Sequence, residues 1–119
     1  MTNSVRPLFP IAVTALLPTL LVAVDAEAKT PQQSIGTVVA GRLINPTRLT
    51  NNKVIKLRFP KNAWGTKRLV HMIDACARQT RKKHRGAHRL VVGDLSRKKG
   101  GRFPPHAGHQ SGREADIGF

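Results

Sequence analysis

Two histidines and an aspartate stand within eleven residues near the end of the chain, in Pro104-Pro105-His106-Ala107-Gly108-His109-Gln110-Ser111-Gly112-Arg113-Glu114-Ala115-Asp116. Neutral imidazole and carboxylate are the donors that hold a zinc ion while leaving it able to activate water. No cysteine lies in this segment, which argues against a closed structural zinc site. Six residues separate His109 from Asp116, too many for one helical turn. The spacing suits one ligand ahead of a tight Ser111-Gly112 turn and another on a strand that follows. On the bare pattern two readings stay open: a metal site, or solvated and hydrogen-bonding groups in a polar loop.

The elements that must position these groups are readable upstream. Thr66 is a helix N-cap, and Leu69, Val70, Ile73, Cys76, Ala77 and Thr80 recur at helical spacing, which predicts a helix over about 67–85. Arg81-Lys82-Lys83-His84-Arg85 sets cations against the negative end of its dipole, and Gly86 stops it. Cys76 falls on the apolar stripe and reads as a small core residue, whereas His71 lies off it and reads as surface. In Val54-Ile55-Lys56-Leu57-Arg58-Phe59, alternation puts Ile55, Leu57 and Phe59 on one face and Lys56 and Arg58 on the other, a half-buried strand. Leu90-Val91-Val92 reads as a buried strand, and further strands are expected over 38–40, 42–44 and 114–118. Thr30-Pro31-Gln32-Gln33 reads as a loose leader, Asn45-Pro46 and Asn51-Asn52 as turns, and Arg97-Lys98-Lys99-Gly100-Gly101-Arg102 as a flexible basic loop. The expected fold class is α+β: one long helix packed on a small, mostly antiparallel sheet, with the metal loop at one edge.

The whole chain has 119 residues, 21 Lys+Arg against 6 Asp+Glu, a net charge of +15 and one cysteine, which excludes a disulfide-stapled mini-protein and leaves apolar packing to form the core. Such a charge calls for polyanionic surroundings: nucleic acid, anionic lipid or an anionic cell-wall polymer. Arg6, the apolar stretch from Phe9 to Val24 and Ala26-Glu27-Ala28 read as a secretory signal peptide over residues 1–28, cleaved before Lys29. A transmembrane helix competes with that reading, but Pro10 and Pro18 interrupt a run already shorter than the roughly 20 residues a bilayer needs. Export to the periplasm, with no stable membrane span after signal removal, makes nucleic acid the less natural counter-ion. The basic helix end also lacks interleaved aromatics and zinc-finger spacing.

Ala63-Trp64-Gly65-Thr66, Val92-Gly93-Asp94-Leu95-Ser96, Gly100-Gly101 and Pro105-His106-x-x-His109-Gln110-Ser111-Gly112-Arg113-x-x-Asp116-Ile117 together resemble the penicillin-insensitive murein endopeptidases. These are zinc peptidases that share a core with lysostaphin-type enzymes, D-Ala-D-Ala peptidases and hedgehog domains. Ser34-Ile35-Gly36 and Gly41-Arg42-Leu43-Ile44-Asn45 look like the family's N-terminal approach, so residues 29–119 would be the N-terminal part of such a domain. The resemblance implies that His109 and Asp116 are zinc ligands, that His106 borders or joins the metal site, and that Asp94 and Ser96 support the site loop. Departures at Gly108 and Ala115 remove no ligand. The implied substrate is the peptide cross-link of peptidoglycan, typically the D-alanyl to diaminopimelate bond.

Family members carry a further zinc ligand and the general-base histidine in a downstream His-x-His element, which would lie beyond Phe119. The catalytic base is therefore unassigned, the fold is expected to be incomplete at its C-terminus, and the chain is expected to be an inactive fragment of a zinc endopeptidase. The alternative is a cationic, non-catalytic module that binds anionic wall polymer or nucleic acid.

Overall fold

The structure, a computed structural model, describes residues 30–118. The expected leader over 1–28 lies outside the described residues.

An α+β architecture is observed. Strands β1 (Gln33–Gly36) and β2 (Gly41–Ile44) form an antiparallel hairpin, and β3 (Thr47–Arg48) pairs antiparallel with β5 (Trp64–Gly65). The third sheet has the order β4 (Ile55–Leu57), β6 (Leu90–Val92), β7 (Ile117–Gly118). Its β4–β6 pair is parallel and its β6–β7 pair antiparallel, so this sheet is mixed. One helix, α1 (Lys67–Lys83), crosses over between β4 and β6, the long connection a parallel pair requires.

Capping fixes where α1 starts. Thr66 is extended, and its hydroxyl accepts from the Leu69 N–H at 3.2 Å, while its own N–H donates to the Gly112 carbonyl at 2.8 Å. The helix start is thereby tied to the predicted metal loop. Arg81, Lys82 and Lys83 occupy the last turn, as expected from the dipole. Leu69, Val70, Ile73 and Ala77 are buried and join Leu49, Ile55, Leu57, Ala63, Val92 and Leu95 in one core. The alternation holds within β4, where Ile55 and Leu57 are buried and Lys56 is exposed, but not at Phe59, which lies past the end of the strand and is exposed rather than on the buried face. Burying an Ile or Leu side chain contributes roughly 1.5–3 kcal/mol, which makes the short β4 an anchor for the sheet.

Three further expectations are corrected. Cys76 is exposed, not part of the core: the buried stripe of α1 is narrower than its apolar residues, and Cys76 lines an open groove with Met72, Thr80 and Leu90. Residues 38–40 form the turn of the β1–β2 hairpin, not a strand; the Thr37 N–H donates to the Ala40 carbonyl at 3.0 Å and the Thr37 hydroxyl accepts from the Ala40 N–H at 3.0 Å. The segment read as a loose leader contains the start of β1, and Gln32 is tied down by donating to Thr47 Oγ1 at 3.2 Å and accepting from the Lys67 N–H at 2.6 Å. The turn at 51–52 forms as expected, with Asn52 Oδ1 accepting from the Val54 and Ile55 N–H groups and Asn51 Oδ1 from the Leu57 N–H.

Candidate metal centre

The sheet and two loops bring the three predicted ligands together. His106, His109 and Asp116 each offer one donor atom, and these atoms lie within 4.8 Å of one another. Asp116 directly precedes β7, and its backbone is clamped on both sides: its N–H donates to the Asp94 carbonyl at 2.9 Å, and its carbonyl accepts from the Gly93 N–H at 2.8 Å. His109 sits in the left-handed region at φ 62, uncommon for a residue with a side chain. Two contacts hold it there. Its N–H donates to Glu114 Oε2 at 2.7 Å, and its Nδ1 lies 2.8 Å from the Leu95 carbonyl.

That last contact decides which nitrogen faces the site. A carbonyl only accepts, so Nδ1 of His109 carries the proton and Nε2 presents its lone pair. Nε2 lies 3.3 Å from Asp116 Oδ1. This is long for a charge-assisted hydrogen bond, which runs at about 2.7–2.9 Å. It matches the edge of a tetrahedron whose ligands stand about 2.0–2.1 Å from a central zinc. The imidazole is buried, whereas the Asp116 side chain is 52% exposed. One candidate donor is thus enclosed, and the other is open to an incoming molecule.

His106 is oriented by Asp94. Its Nε2 lies 3.1 Å from Asp94 Oδ2, and Asp94 Oδ1 accepts from Asn62 Nδ2 at 2.7 Å. With Nε2 engaged by a carboxylate, Nδ1 is the nitrogen left for a metal, the carboxylate–histidine–metal pattern of known zinc sites. Ser96 is fully buried and is held through its backbone: its N–H donates to the Asn62 carbonyl and its own carbonyl accepts from the Trp64 N–H, joining the loop after β6 to the segment that runs into β5. Its hydroxyl has no partner among the described residues.

Two clefts flank the three donors. One, of about 490 Å³, is lined by His106, His109, Glu114 and Asp116; the other, of about 480 Å³, by Arg58, Phe59, Gly93, His106, Asp116 and Ile117 among others. Three supporting residues were not anticipated. Glu114 holds the backbone of His109; an acid five residues after a candidate ligand was the available signal. Buried Phe103 packs against both imidazoles, with ring centroids 5.2 Å from His106 and 6.1 Å from His109. Asn62 fixes Asp94 across 32 residues of sequence, a contact no local pattern encodes.

The donor set fits a divalent metal of the zinc type, with two imidazoles, one carboxylate, and outer partners that fix the ring nitrogens. Replacing Asp94 by asparagine is expected to lower metal affinity by about 10–100-fold. Competition against a chromogenic chelator measures this, and unchanged affinity would show that Asp94 does not orient His106.

A family model described as penicillin-insensitive murein endopeptidase matches residues 34–119. No curated protein matches the chain.

Proposed function

This chain belongs to the penicillin-insensitive murein endopeptidase family, and on that premise we propose that it holds zinc through His106, His109 and Asp116 to act on the D-alanyl to diaminopimelate cross-links of peptidoglycan. The observation that carries the metal reading is the convergence of the three donor atoms within 4.8 Å. When bound, the metal would polarise the scissile carbonyl and acidify a water molecule. The chain's own residues do the rest. Leu95 and Asp94 fix the two imidazoles, Glu114 holds the loop, and the exposed Asp116 borders the side from which a peptide enters. Export to the periplasm by residues 1–28 would deliver the protein to this substrate.

Among the described residues, no third histidine lines either cleft; His71, His84 and His88 lie on α1 or after it. The described residues would therefore bind zinc and peptide without a histidine base, and no turnover by this chain alone is expected. The test pairs a calorimetric zinc titration with incubation of cross-linked muropeptide dimers. One zinc per chain, removed by chelator, with dimers left intact, is the expected result. No zinc uptake would overturn the metal reading. Chelator-sensitive cleavage would overturn the inactive reading and point to Glu114 as the base.

A second reading, a cationic binder of anionic wall polymer, is favoured by how the acids are placed. Asp94, Glu114 and Asp116 gather at the site, and Asp74 pairs with Arg78 at 2.6 Å. The other Lys and Arg side chains have no carboxylate partner among the described residues. Such exposed cations would bind a polyanion in a salt-dependent way.

A further inference from the structure

We propose that Arg58 is a specificity-determining residue that binds a free carboxylate of the peptide lying in the cleft beside the metal site; the proposal rests on the peptidase reading given above. The register of the mixed sheet places it there. Leu57 pairs with Val92, and Val92 with Ile117. One step further along the strands, Arg58, Gly93 and Asp116 fall in a single row. The backbone bonds continue to that row, with the Arg58 N–H donating to the Val92 carbonyl at 2.8 Å and the Gly93 N–H to the Asp116 carbonyl at 2.8 Å.

The middle member of the row has no side chain. A Cβ at Gly93 would stand 3.0 Å from the Asp116 Cβ, so the bare glycine forms the floor of a trough between Arg58 and Asp116. Two strand spacings, about 10 Å, separate the backbones of its sides. Its walls include Phe59, 45% exposed, and Ile117, 39% exposed.

Charge gives the trough a direction. Asp94 and Asp116 make one side acidic, and Arg58 is the cation lining the other. The guanidinium lies 5.4 Å from the centroid of the Phe59 ring and has no carboxylate partner among the described residues. The cation–π contact holds the guanidinium beside the ring, and its planar fork matches the geometry of a carboxylate. A peptide with an apolar stem and a terminal carboxylate is repelled from the aspartates and drawn to Arg58. That orientation lays the rest of the peptide across Gly93 toward His106 and Asp116.

The test uses chelator-treated protein at physiological salt and two probes: a murein-type tetrapeptide ending in a free D-alanine carboxylate, and its C-terminal amide. Calorimetry on the wild-type chain is expected to show the acid binding about tenfold more tightly than the amide. Arg58→Gln should abolish that preference and leave zinc uptake intact. Lys56→Gln removes the same charge from the same strand outside the cleft and should keep the preference. An acid preference that survives Arg58→Gln, one lost equally in Lys56→Gln, or no binding of either peptide by the wild type would overturn the proposal. Zinc uptake by the wild type, measured in parallel, reports the metal reading separately: its absence would sink that reading and leave the acid-to-amide ratio to stand or fall alone.

Discussion

Replacing His109 by asparagine is expected to lower zinc affinity by more than about 100-fold, beyond what loss of an outer-shell partner costs. His109 is the buried donor of the three, with its Nε2 lone pair aimed at the site because Nδ1 is committed to Leu95. Without it, His106 and Asp116 remain, and two donors hold zinc poorly. Asparagine is chosen because position 109 is left-handed, at φ 62, and asparagine tolerates that conformation better than most residues. The variant should keep its far-ultraviolet circular dichroism while losing the zinc-dependent rise in melting temperature that follows from selective binding to the folded state. Asp116→Ala, at an exposed side chain, should give the same loss without disturbing the core. Retention of the zinc-dependent stabilisation in both variants would show that the metal sits elsewhere.

Gly100→Ala is expected to destabilise the fold by about 3 kcal/mol, through left-handed strain added to overpacking. Gly100 has φ 67, and a Cβ there would run into the Gln110 carbonyl while standing 2.8 Å from the Arg42 Cα. This is where the basic loop threads between β2 and the loop that carries His109. Neither obstacle is a movable side-chain end, so the backbone itself must shift. The neighbouring Gly101 provides the control. Its φ is 78, but a Cβ would meet nothing within 4 Å, so Gly101→Ala should cost only the left-handed strain, about 1–2 kcal/mol. Urea denaturation of the two variants separates strain from collision, and equal losses would refute the crowding at Gly100. Weaker zinc binding in Gly100→Ala alone would show that the same contact sets the position of His109.

Much of this was legible along the chain because it is local. The N-cap at Thr66 and the basic last turn of α1 depend on the backbone groups of one helix, and the alternation of Ile55, Lys56 and Leu57 follows from the pleat of one strand. The side chains of His106, His109 and Asp116 declared a donor set by type and proximity, before any geometry. The errors were equally physical. Periodicity marked Cys76 as apolar-facing, but whether that side of α1 is covered depends on what packs there, and the core takes only Leu69, Val70, Ile73 and Ala77. Valines at 38 and 39 suggested a strand, yet the left-handed Gly36 and the Thr37–Ala40 bonds turn the chain there.

The amino-acid sequence by itself determined the helix, the core strands and the identity of the three candidate donors, since each is set by residue type and by neighbours within a few positions. Only the tertiary structure decided that β4 runs parallel to β6, because hydrophobic period carries no strand direction. That pairing, with β7 added antiparallel, sets Arg58, Gly93 and Asp116 in one row though 35 and 23 residues separate them along the chain. It also brought Asn62 to Asp94 and Leu95 to His109, and with them the choice of ring nitrogen. Hydrogen-bond geometry between distant segments exists only once the core has closed, and the chemistry of the site depends on it.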